Sequence, residues 1–184
     1  KSMKSAISAD NSLVDVFKKY DNVYTSMNLD NQPEDLRKAQ QLPDKLAISP
    51  DSVADNPIEY SNCRIILQGI LDATSHIGMI NVSRSDDGVL RKMPLYLKYN
   101  NKYYPQLGYL VAQGSGMMKK VQSDDEASVI LNWYGPSETF ENIPMYKLLK
   151  AADGGETFDY DFHNKIPSLL LQQSAGNDHL LHLR

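Results

Sequence analysis

The sequence predicts an α/β domain, a layered sheet of mixed strands with flanking helices and antiparallel hairpins. Three observations lead there. Stretches with apolar residues at helical spacing alternate along the chain with short β-branched or aromatic runs. Two turn signals, Asp87-Gly88 and Asn100-Asn101, sit between apolar stretches and suit chain reversals. The chain has 184 residues, 41% hydrophobic and 23% charged, enough for one sizeable core in an ordinary globular domain.

Taken in order, Asp10 is placed to cap a helix through NSLVDVFKKY, with Leu13, Val14, Phe17 and Tyr20 on one face. NVYTSMNL reads as a strand that ends in polar DNQ. Four prolines, Pro33, Pro43, Pro50 and Pro57, then break the pattern, so a long surface loop is expected, with a short helix at EDLRKAQQL. A helix is expected in YSNCRIILQGILDAT, capped by Ser61 and carrying Ile65, Ile66, Ile70 and Leu71 on its apolar side. HIGMINVS follows as a strand, and the Asp87-Gly88 turn is expected to fold VLRKMPLYL back on it. Asn100-Asn101 closes a second hairpin, and Pro105 is expected to open a helix in PQLGYLVAQ. SVILNWYG reads as a buried strand, PMYKLLKAA as a short helix begun by Pro144, and FHNKI as the opening of another strand.

Charge and composition exclude several classes. The net charge is −4 and the basic residues are scattered, in pairs such as Lys119-Lys120, which argues against nucleic-acid binding. No apolar run approaches the ~18 residues of a membrane-spanning helix. The opening KSMKSAISADNSL lacks the apolar centre of a signal peptide, so a targeting segment is expected only in flanking sequence. Cys63 is the single cysteine; it can form no internal disulfide or thiolate cluster and reads as a small buried apolar residue. A nucleophilic Cys63 would need a base such as His76 beside it.

The segment SRSDDGVLRKMPL concentrates Asp86, Asp87, Arg91 and Lys92 around one turn. A calcium loop needs alternating oxygen ligands before its glycine and a later glutamate, and this segment has no such glutamate. The residues therefore predict a structural turn at Asp87 and Gly88, with Arg91 placed to pair with a turn carboxylate. Trp133 and Tyr134 fall at the end of a strand, where an α/β sheet opens its crevice; they read as core or as the lining of a ligand site. With Arg91 they make up the candidate ligand-binding set. No catalytic or metal residues are predicted. His179 and His182 share helical spacing but have no further ligand type beside them, and Ser137 lacks the flanking glycines of a nucleophile elbow. Asn81-Val82-Ser83 matches a glycosylation sequon but lies in an expected strand.

The order of these features resembles the CHASE2 family of extracytoplasmic sensor domains. The resemblance rests on IGMINVSRSDDGVLRKMPL, with its glycine-bearing strand, Asp-Gly turn, Arg and Pro-Leu, followed by YYPQLGYLVA, LNWYGPSETFENIPMYKLL and FHNKI. It runs from His76 to Ile166 and is fainter from Asp10 to Leu29. The sequence departs from the family pattern where Ser85 replaces an Asp and Gln106 replaces a Ser. The family's opening strand has no counterpart, and PSLLLQQSAGNDHLLHLR stands where a glycine-containing apolar strand is expected. The division that follows is a sensor domain over residues 1–166 and an atypical tail over 167–184, the tail being expected to be dispensable for stability or displaced from its family position.

The resemblance implies a non-catalytic, extracytoplasmic input domain, tethered by membrane helices in flanking sequence to a cyclase or kinase output. It implies a small-molecule or envelope signal, allows a homodimer, and calls for no cofactor and no nucleic acid. The alternative is a secreted or periplasmic solute-binding or protein-docking module without signalling output. A hydrolase using Cys63 or Ser137 is a third class.

Overall fold

A computed structural model describes residues 3–31, 41–50, 53–64, 66–116, 123–132, 135, 142–155, 167–170 and 180–183. The chain divides into two compact units, Lys1–Leu131 and Asn132–Arg184. Helices combine with parallel and antiparallel strand pairs, so the fold is of the α/β class, as the sequence predicts.

In the first unit, helix α1 (Met3–Lys19) leads to β1 (Thr25–Met27) and β2 (Leu29–Asp30). A 3-10 turn (Asp44–Leu46), β3 (Glu59–Tyr60), β4 (Asn62–Cys63) and α2 (Gln68–Ala73) follow. Next come β5 (Ile77–Met79), β6 (Lys92–Pro94), β7 (Tyr96–Tyr99), β8 (Lys102–Pro105), α3 (Leu107–Gly114) and β9 (Ser128–Ile130). β1 and β5 pair in parallel, as do β3 and β7, while β2–β4, β6–β9 and β7–β8 are antiparallel. β5 is buried at all three positions, and its Ile77 and Met79 join Met27, Leu29, Leu71, Leu97, Tyr99 and Tyr104 in one apolar cluster. Burial of these side chains is the main force holding the short strands together.

Several local expectations change. Helix α1 begins before Asp10, which is therefore interior rather than a cap. Its buried side is set by Phe17 and Val14, whereas Leu13 and Tyr20 are exposed and do not share that face. A Cβ at residue 69 would lie 2.8 Å from Val14 Cγ2, so a larger residue there requires the Val14 side chain to shift. The helix expected from Ser61 starts only at Gln68: Asn62–Cys63 instead pairs with Leu29–Asp30, and cross-strand burial of Cys63 opposite Leu29 overrides the helical spacing. The proline-rich stretch is more than a surface loop, because Leu42 and Leu46 enter the core and Ile48 N–H donates to Tyr103 O at 2.8 Å.

The Asp87-Gly88 turn does not join paired strands. The apolar edge of β5 is taken by β1, and β6, whose Lys92 is exposed, pairs with β9. The second hairpin forms as read: Tyr99 faces Lys102, and Asn100 and Asn101 take φ 48° and 59°, the left-handed pair a two-residue turn needs. Pro105 ends β8 rather than opening α3, whose cap is Gln106.

In the second unit, β10 (Asn142–Pro144) runs into α4 (Met145–Ala152), with Pro144 as the cap. β11 (Pro167–Leu170) and β12 (Leu180–Leu183) complete an antiparallel sheet of order β10-β12-β11. The tail thus contributes two strands. The expected strand at FHNKI falls outside the described residues, as does the helix at EDLRKAQQL except for its last two residues, Gln41 and Leu42, which are not helical. Among the described residues no helix is long and apolar enough to cross a membrane.

Candidate functional site

The carboxyl ends of the parallel strands β1 and β5 mark where an α/β sheet opens a crevice. Helix α3 begins directly against β5. A Cβ at Gly78 would collide with Leu107 Cα and lie 2.8 Å from its backbone nitrogen, so only glycine permits this approach. Met79 and Gln106 form a parallel bridge at the same point. Gln106 is buried, and its Oε1 accepts from Gly108 N–H at 2.5 Å and Tyr109 N–H at 3.3 Å. Those are donors of the first turn of α3, which a ligand anion would otherwise use. Gln106 therefore does a capping residue's work.

Asn81 closes the other side. Its Oδ1 accepts from Leu29 N–H at 2.8 Å and its Nδ2 donates to Leu29 O at 2.6 Å, so the side chain stands in for one more residue of strand. The sequon asparagine is a structural bracket, half-buried, with both amide groups in use.

The turn that follows is built around one carboxylate. Gly88 N–H donates to Ser85 O at 2.7 Å, Ser85 N–H donates to Val89 O at 3.0 Å, and Gly88 takes φ 79°. Asp87 Oδ1 accepts from Val89 N–H at 3.1 Å and Arg91 Nη1 at 2.7 Å, and Oδ2 accepts from Arg91 Nη2 at 2.6 Å. The Arg91 guanidinium, followed by the Val89 amide, holds the Asp87 carboxyl below its usual range, and Asp87 in turn raises Arg91. An anionic ligand at Arg91 must compete with this bidentate pair. Next along the chain, Lys92 Nζ donates to Asp124 Oδ2 at 2.6 Å, which lowers Asp124 and raises Lys92.

The remaining candidates are placed as follows. Cys63 lies in the apolar core. Burial first, and a hydrogen bond with Cys63 second, push the Tyr99 hydroxyl up to about 12. His76 stacks on Tyr24 with ring centroids 4.7 Å apart, and its Nδ1 is buried with no hydrogen-bond partner among the described residues. Among the described residues no group of three His, Cys, Asp or Glu side chains is arranged to hold a metal ion. His182 sits in β12 opposite Asn142 and Ser168. Trp133, Tyr134, Ser137 and His179 lie outside the described residues. Sequence reasoning missed the roles of Asn81, Gln106 and Asp124; only Gln106 carried a signal, its departure from the family serine.

The family model of the CHASE2 domain matches residues 2–167. No curated protein and no solved structure matches the chain.

Proposed function

Because the chain belongs to the CHASE2 family of extracytoplasmic sensory domains, we propose that it is the signal-input domain of a membrane-bound receptor. In this reading, membrane helices in flanking sequence tether it outside the cytoplasm. They connect it to an adenylate cyclase, histidine kinase, diguanylate cyclase or Ser/Thr kinase output. The observation that carries the proposal is the family match over residues 2–167. The domain itself is non-catalytic. A small molecule or envelope signal favours one of its arrangements and so shifts the population that the output reads. Trp133, Tyr134 and Arg91 are each proposed as ligand contacts, and Arg91 can serve as one only by releasing Asp87.

The test is a screen of envelope metabolites, followed by emission of Trp133, the single tryptophan, and by melting. A ligand at about 100 times its Kd adds about 2.7 kcal/mol of stability. The same compound should change output activity in the full-length receptor. A full reading frame with a secretion signal, no hydrophobic helices and no signalling domain would overturn the receptor reading in favour of a solute-binding module.

A further inference from the structure

The loop entering β9 combines strain with closure mainly on one residue; besides that residue's bonds, Asn56 N–H donates to Asp125 O at 2.8 Å. Ala127 is fully buried and takes φ 61°, the left-handed region that a residue with a Cβ enters only when its surroundings impose it. What imposes it is Asp124. Its backbone carbonyl accepts from Ala127 N–H at 3.1 Å, and its N–H donates to Ser128 O at 2.9 Å. Its Oδ1 accepts from Ser128 N–H at 2.8 Å and Glu126 N–H at 3.1 Å, while Oδ2 holds Lys92.

Little else fixes the ribbon that follows. β6 and β9 form a two-stranded sheet of three residue pairs, from Lys92–Ile130 to Pro94–Ser128. Ile130 is 80% exposed and Lys92 faces solvent, so apolar burial is slight at that end. Segments with few buried apolar contacts and exposed backbone hydrogen bonds open below the global unfolding.

We propose that Asp124–Ile130 is a latched strap: the loop and β9 detach from β6 as one unit while the β7–β8 hairpin stays folded, and Asp124 is the latch. β9 is the last strand before the boundary at Leu131 and Asn132, so opening releases chain into the covalent connection with the second unit. This inference concerns the fold's mechanics and does not depend on the sensory reading.

Amide hydrogen exchange on the full chain tests it. The reporters are Leu95, Ser128 and Leu131, whose N–H groups donate to Ala127 O, Asp124 Oδ1 and Arg91 O. In the native protein these amides should exchange faster than those of β7 and β8. Lys92→Met, which leaves the loop's own hydrogen bonds intact, should accelerate all three together by about threefold, and Asp124→Ala by about tenfold or more, with β7 and β8 unchanged. Raising salt to about 0.5 M should accelerate the reporters in the native protein and not in Lys92→Met, since it screens the same ion pair. Reporter exchange equal to that of β7 and β8, or acceleration of every amide alike in Lys92→Met, would overturn the proposal.

Discussion

Asp87 grips Arg91 with both carboxylate oxygens, 2.7 Å to Nη1 and 2.6 Å to Nη2, while one of those oxygens also holds the Val89 amide. Turn and ion pair are therefore one unit. Four residues apart, the two side chains close the loop that Gly88 starts.

This pairing gives stability a definite pH dependence. Asp87 is lowered mainly by Arg91, and Asp124 mainly by Lys92. A carboxyl whose native pKa is depressed stabilises the fold above its unfolded value, near 3.9, and that contribution is lost as pH falls through the lower native value. In urea unfolding, the gap between the native protein and Asp87→Asn should be constant from about pH 7 to about 5 and close below about 4. A gap that persisted at low pH would assign the effect to something other than the charge.

Gly78 and Gly88 should differ in kind. Alanine at 78 drives a methyl into the backbone of Leu107, and the expected loss is about 1–3 kcal/mol or more, read as a lower urea midpoint. Around Gly88 there is open space within 4 Å, so only its φ of 79° resists substitution. Gly88→Val should cost about 1 kcal/mol or more from backbone strain alone.

Gln106→Ala removes the acceptor for two first-turn donors of α3 and should cost about 0.5–2 kcal/mol. Gln106→Ser should recover part of that loss because its hydroxyl can also cap. Equal midpoints for the Ala and Ser variants would show that the capping bond is not what Gln106 contributes.

Deleting residues 168–184 removes β12 and most of β11, the strands paired directly or in turn with β10. The expected result is a lower melting temperature for the second unit. An unchanged melting profile would show that the tail's strands carry no stability.

What the sequence made legible was what local chemistry decides. Two asparagines that tolerate positive φ announced the β7–β8 reversal, and the β-branched run around Thr25 announced β1. Partner choice was not legible, because it depends on residues far along the chain. Asn81 meets Leu29 across 52 positions, and Lys92 meets Asp124 across 32. An Asp-Gly turn between apolar stretches looks like a hairpin, yet β5 was already committed to β1 by burial on every position. Leu42 and Leu46 sit in a proline-broken stretch whose periodicity gives no hint that two leucines anchor it.

The two-point hold of Asn81 on Leu29 bears on how the protein should be produced. In a eukaryotic secretory host, Asn81-Val82-Ser83 presents an acceptor for oligosaccharide, and a sugar on Nδ2 would replace one of its hydrogens beside the Leu29 carbonyl. The usual remedy, Asn81→Gln, lengthens the side chain by a methylene and moves both amide groups off their backbone partners. Ser83 is exposed, so Ser83→Ala removes the acceptor sequence and leaves the Asn81–Leu29 pairing as it is.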